Sequence, residues 1–120
     1  LSTKTTMLIE KLRLGETIAE YREAGNSMIP IIHSKEAMTL SPVDIHKIEV
    51  GDVVFCKVKG KFYTHIVTAA DDKRVQISNN HGYVNGWTSR DKVYGIVTSV
   101  NGRARPNSEH KVLKKAISKE

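Results

Sequence analysis

Val53-Val54-Phe55-Cys56-Lys57-Val58-Lys59-Gly60-Lys61-Phe62-Tyr63-Thr64-His65-Ile66-Val67-Thr68 is the stretch that decides the fold. Two runs rich in β-branched and aromatic residues flank a glycine, and neither has helical spacing. The pattern predicts an antiparallel hairpin, Val53 to Lys59 and Phe62 to Thr68, with Gly60 at its tip. Alternation along the second arm places Tyr63, His65 and Val67 on one face and Phe62, Thr64 and Ile66 on the other. A two-residue loop at Gly60-Lys61 would set Cys56 opposite His65.

Outward from the hairpin, Val75-Gln76-Ile77 and Val93 to Val100 read as further strands, with turns at Asp71-Asp72-Lys73 and Ser78-Asn79-Asn80-His81-Gly82. Tyr83 to Trp87, around Asn85-Gly86, reads as loop or short strand. Upstream, Thr17 to Glu23 favours strand before the breaker Gly25-Asn26. Residues 33–50 read as irregular or weakly extended. At the amino end, Thr3 or Thr5 can cap a helix to about Leu14, with Met7, Leu8, Ile9 and Leu12 on one face and Gly15 ending it. Three segments follow: an N-terminal helix (1–15), a β domain (16–100) and a basic tail (101–120). Val112, Leu113, Ala116 and Ile117 lie at helical spacing, so the tail is expected to be helical or mobile. The fold class is mainly β.

The chain has 120 residues, 39% hydrophobic and 27% charged, which suits one globular domain and excludes wholesale disorder. Its longest apolar runs are far short of the roughly 20 residues that span a membrane, so no membrane anchor is expected. The one cysteine, Cys56, cannot form an internal disulfide and favours a reducing, cytoplasmic setting. The net charge is +6, and six basic against two acidic residues in 101–120 account for +4 of it. Such a tail could reach the phosphates of a nucleic acid, but no basic stripe interleaved with aromatics accompanies it. A solvated terminus is the plainer reading of the charge. Cys56, His65 and His81 show no metal-ligand spacing, and no cofactor is implied.

Gly25-Asn26-Ser27-Met28-Ile29-Pro30 is the segment richest in chemistry. A serine between a glycine-loosened turn and a proline-fixed exit can project its hydroxyl rather than pack it. Serine is also common in ordinary turns. A nucleophilic serine needs a base within reach, and among five histidines His65 is distinctive for lying within a strand. Apolar neighbours on its face favour the neutral, proton-accepting ring. The same position would equally suit a half-buried structural histidine. A Cys56–His65 thiol site is the other arrangement the hairpin allows.

The serine segment resembles the Gly-x-Ser-Met-x-Pro box of signal peptidases and of the self-cleaving LexA/UmuD-type peptidases. Val50-Gly51-Asp52-Val53-Val54-Phe55 looks like that family's Gly-Asp-x-Val strand entry. Tyr63-Thr64-His65-Ile66-Val67 is similar to the strand that carries its general base, and Tyr94-Gly95-Ile96-Val97-Thr98-Ser99-Val100 to its closing strand. The resemblance spans about residues 16–100. It implies a LexA/signal peptidase-like β-fold and acyl transfer by a Ser27–His65 dyad. The backbone N–H groups of Asn26 and Ser27 would hold the oxyanion. His65 stands where most of the family has lysine, as in the branch that pairs serine with histidine. That branch carries an aspartate in a Gly-Asp-Asn segment, whereas the comparable stretch here is Ser78-Asn79-Asn80-His81. Asn79 and Asn80 are thus the candidates to orient His65.

The resemblance further implies a protein or peptide substrate bound as an extended strand, with a small residue at the cleavage position. Ala24-Gly25 is too near Ser27 to fold back as a substrate, so cleavage of another protein is expected rather than self-cleavage. On the length given, neither an anchor nor a repressor head is expected beside this core, a form suited to a bacterial or phage protein. The alternative is an inactive domain of the same fold that binds protein or nucleic acid.

Overall fold

The hairpin forms, but with a different register. In a computed structural model that describes residues 2–114, strand β3 (Val53–Val58) pairs with β4 (Lys61–Ala70). Lys59 and Gly60 form the loop, both at positive φ (51° and 83°), which suits the twist of a tight hairpin. Moving the loop by one residue moves each partner by two. His65 therefore faces Val54, and Cys56 faces Tyr63. The expected Cys56–His65 pairing is corrected on this ground.

All named strand pairs are antiparallel. Besides β3 and β4, the sheet contains β1 (Ile18–Tyr21), β2 (Met38–Ser41), β5 (Arg74–Ser78), β6 (Val84–Ser89) and β7 (Val93–Val100). Their order is β1-β2-β7-β3-β4-β5-β6, and a short β8 (Arg103–Ala104) returns along β7. The protein is mainly β, with one α-helix, α1 (Thr3–Arg13), among the described residues. No helix among those residues is long and apolar enough to cross a membrane.

Alternation along β3 and β4 divides the core in two. Val53 and Phe55, with Phe62 and Ile66 against them, join Leu8, Leu12, Met28, Met38 and Leu40 under α1. Val54, Cys56, Val58 and Val67 join Val75, Ile77 and Ile96 on the opposite face. Burying each such side chain contributes about 2 kcal/mol before conformational entropy is subtracted. His65 rides on the second face, as the alternation predicts.

Two local expectations are corrected, and the described part of the tail can be placed. Ser2, rather than Thr3 or Thr5, caps α1, its Oγ accepting from Thr5 N at 3.1 Å, and Met7 on the expected buried face is exposed. Residues 33–50 contain β2, a four-residue strand between β1 and β7, too short to show a period. The tail is anchored as far as it is described. Asp44 N donates to Lys111 O, Leu113 N donates to Pro42 O, and Glu109–Lys111 is a single 3₁₀ turn. Ala116 and Ile117, part of the expected helical face, lie outside the described residues.

What fixes this segment is a buried ammonium. Lys111 Nζ lies 2.7 and 2.9 Å from the two carboxylate oxygens of Asp52 and 3.1 Å from Glu49 Oε1. Lys111 is 1% exposed and Asp52 5%. Asp52 also accepts from Glu49 N at 2.8 Å. The acid at the entry to β3 thus pins the carboxyl end of the described chain to the sheet. Arg105 adds a hydrogen bond to Gly51 O at 3.0 Å. Two of the cations assigned to a solvated tail are therefore structural.

Candidate functional site

Ser27 and His65, 38 positions apart in the chain, meet with Ser27 Oγ 3.1 Å from His65 Nε2. Three local features produce the contact. Gly25, at φ +125°, lets the chain leave β1 sharply, and a Cβ there would meet no neighbouring atom. Met28 and Ile32, just after the serine, are buried in the core beneath α1 and anchor the turn. The ten-residue strand β4 then holds His65 rigidly on the sheet, 8% exposed.

The other imidazole nitrogen is fixed as well. His65 Nδ1 lies 2.7 Å from Asn85 Oδ1 on β6. A side-chain amide oxygen can only accept, so the proton resides on Nδ1. Nε2 then presents its lone pair to the Ser27 hydroxyl. The Tyr63 ring packs against the imidazole, centroids 4.9 Å apart. Burial pulls the His65 pKa below its ordinary 6.5, and the Asn85 hydrogen bond and the Glu23 charge offset part of this. The resting ring is a neutral base.

Asn79 and Asn80 do not reach His65, so their expected orienting role passes to Asn85. Asn79 Oδ1 accepts from His81 N and Tyr83 N, both at 2.9 Å, and so shapes its own turn. Asn80 holds the serine turn instead, its N–H donating to Ser27 O at 2.8 Å and its amide to Ile29 O at 3.0 Å. His81 Nε2 lies 2.9 Å from Asn26 O, a third tie between the two loops. Asn85 escaped the sequence reading because polar residues and Gly86 leave β6 without a clear apolar alternation. The Asn-Gly pair left the segment readable as either loop or short strand, with no face to assign to Asn85.

The N–H groups of Asn26 and Ser27 donate to no protein acceptor among the described residues. Their donors are thus unspent, as an oxyanion hole needs. Beside Ser27 lies a cavity of about 20 Å³ whose walls include Ala24, Gly25, Met28 and Thr64. That is space for about one water or a methyl-sized group. Glu23 lines the same cavity and also a wider one of about 390 Å³ reaching Tyr21 and Phe62.

Cys56 takes no part. It is fully buried, and burial alone pushes its thiol up to about 12, so it carries negligible thiolate at neutral pH. The thiol site allowed by the sequence is overturned by both register and burial.

No protein-family model, curated protein or solved structure matches this chain.

Proposed function

We propose that this chain is a serine peptidase-like protein of the signal peptidase and LexA/UmuD type, cleaving a peptide bond in another protein through Ser27 and His65. The observation that carries the proposal is the 3.1 Å contact between Ser27 Oγ and His65 Nε2. That distance lies within the range at which a base takes a hydroxyl proton. Asn85 on the opposite ring nitrogen supports the tautomer that the step requires.

In this reading the Ser27 oxygen attacks the scissile carbonyl as His65 takes its proton. The oxyanion is held by the N–H groups of Asn26 and Ser27, each such donor being worth roughly 3 kcal/mol in other serine hydrolases. His65 then returns the proton to the leaving amine, and the acyl group remains on Ser27 until water removes it by the same route. The 20 Å³ cavity beside the serine favours glycine or alanine at the scissile bond. An extended substrate strand draws its affinity from backbone hydrogen bonds. Asn85 orients the ring but supplies no full charge to the imidazolium, so turnover is expected to be slower than with an aspartate there.

The test is a search for a co-purifying protein that the wild-type chain shortens and the Ser27→Ala chain leaves intact. A trimmed partner with a new carboxyl terminus at a small residue supports the proposal. A partner bound equally by both forms and never cut would overturn it in favour of the inactive, strand-binding alternative.

A further inference from the structure

Glu23 presents an unusual carboxylate. Its Oε2 accepts from the Tyr21 hydroxyl and, at 2.7 Å, from Thr64 Oγ1. Both donors are neutral. The buried carboxylate of Asp52 has the Lys111 ammonium against it, whereas Glu23 has no cation within 4 Å among the described residues. Its second oxygen, Oε1, receives no protein donor among those residues. Burial, and then Glu23 itself, drive the Tyr21 phenol far above its ordinary pKa, so Tyr21 stays a donor.

The surrounding charges do not cancel Glu23. Arg22 points to Glu20 (3.1 Å) and to Lys35 O (2.7 Å). Lys4, on α1, borders the wider cavity without pairing to Glu23, and His33 borders the smaller one. Glu23 stands in the walls of both cavities, as does its neighbour Ala24. Two hydroxyls hold one oxygen in place, and the other has no protein donor among the described residues, on a side chain that lines both cavities. Such an arrangement recognises a cation: a hydrogen bond with a charged partner is about twice as strong as a neutral one.

We infer that Glu23 forms a subsite for a positively charged group of the substrate, a lysine or arginine side chain carried near the scissile bond, because Glu23 and Ser27 line one cavity. This rests on the peptidase reading of Ser27 and His65 and names the class of substrate that site takes. The scissile residue is small, and a basic residue stands close to it.

The test uses the full chain carrying Ser27→Ala, so that binding is read without turnover. Fluorescent peptides of about ten residues hold one alanine at the centre, with a single lysine scanned through the flanking positions. Each has a norleucine twin of equal length and shape without the charge. At one or two positions lysine is expected to bind about tenfold tighter than norleucine. Adding Glu23→Gln should bring the ratio to about one, and Glu23→Lys should invert it in favour of glutamate-bearing peptides. Circular dichroism checks that both variants fold. Acetylated and free amino termini are compared in parallel, and tighter binding of the free-terminus peptides with no difference between lysine and norleucine assigns the cation to the α-ammonium and overturns the side-chain assignment. A lysine-to-norleucine ratio near one throughout, or a preference that survives Glu23→Gln, overturns the subsite. The peptidase reading fails separately, if wild-type protein cuts none of these peptides while the lysine preference persists.

Discussion

Asn85 Oδ1 lies 2.7 Å from His65 Nδ1, and this contact gives the Ser27–His65 pair a direction. It fixes which ring nitrogen holds the proton and therefore which one can accept from the serine. Asn85→Leu removes the acceptor while leaving Ser27 and His65 in place. The rate should fall, with an upper bound of the roughly 10²- to 10⁴-fold that a positioned base contributes. Asn85→Asp should keep the orientation and add charge beside the imidazole, moving the acid limb of the pH–rate profile to higher pH. Steady-state kinetics of both variants against pH would check this; an unchanged profile in both would contradict the assigned role.

The wild-type profile follows from burial of His65. Its folded pKa is below the ordinary 6.5, so kcat/KM should rise with pH through a midpoint below 6.5 and then level off. Stability changes in the same direction. Between the folded value and 6.5 the unfolded chain binds more protons, so the contribution of His65 is complete above about 6.5 and is lost as pH falls toward the folded value. Urea titrations between pH 5 and 7 on wild type and His65→Gln would isolate this, and the slope with pH should be shallower in the variant.

Lys111 and Asp52 form the second long-range tie, and it concerns stability rather than chemistry. Lys111→Ala leaves the Asp52 carboxylate buried without its cation and should cost about 3–5 kcal/mol. Pairing Lys111→Met with Asp52→Asn removes both charges and should recover most of that loss. Chemical denaturation of the three variants gives the comparison. A single variant as stable as wild type would show that the ion pair does not hold the segment to the sheet.

Cys56 serves as an internal control. Its thiol is buried and protonated, so iodoacetamide should leave it unmodified in the folded protein and alkylate it after unfolding in denaturant. Cys56→Ala should react with serine-directed reagents as wild type does. Rapid alkylation of the native protein would reopen a cysteine-based site.

The hairpin and the closing strand were legible because alternation and a glycine at a turn are local signatures. Ser27 and His65 stood out singly, as a serine between breakers and a histidine within a strand, but their pairing was implied only by the family resemblance. Asn85 had no local signature, since its importance lies in β5 and β6 folding back beside β4, a relationship between strands that no spacing records. β2 was too short to show a period. The loop position was decided by one residue between Lys59 and Lys61, where glycine alone does not say on which side of it the turn falls. Lys111 looked like a solvated cation because its partners, Asp52 and Glu49, lie about 60 residues away and bury it only in the folded state. The tail's charge was legible, but its destination was not.

The central claim is that His65 activates Ser27 for attack. Intact-mass spectrometry after incubation with a fluorophosphonate measures this most directly, because the reagent reacts preferentially with an activated serine. The account predicts one adduct per chain, mapped to Ser27, formed more slowly at pH 5 than at pH 7 and absent from both Ser27→Ala and His65→Ala. No adduct on folded wild-type protein, an adduct on another residue, or labelling of Ser27 undiminished by His65→Ala would contradict it.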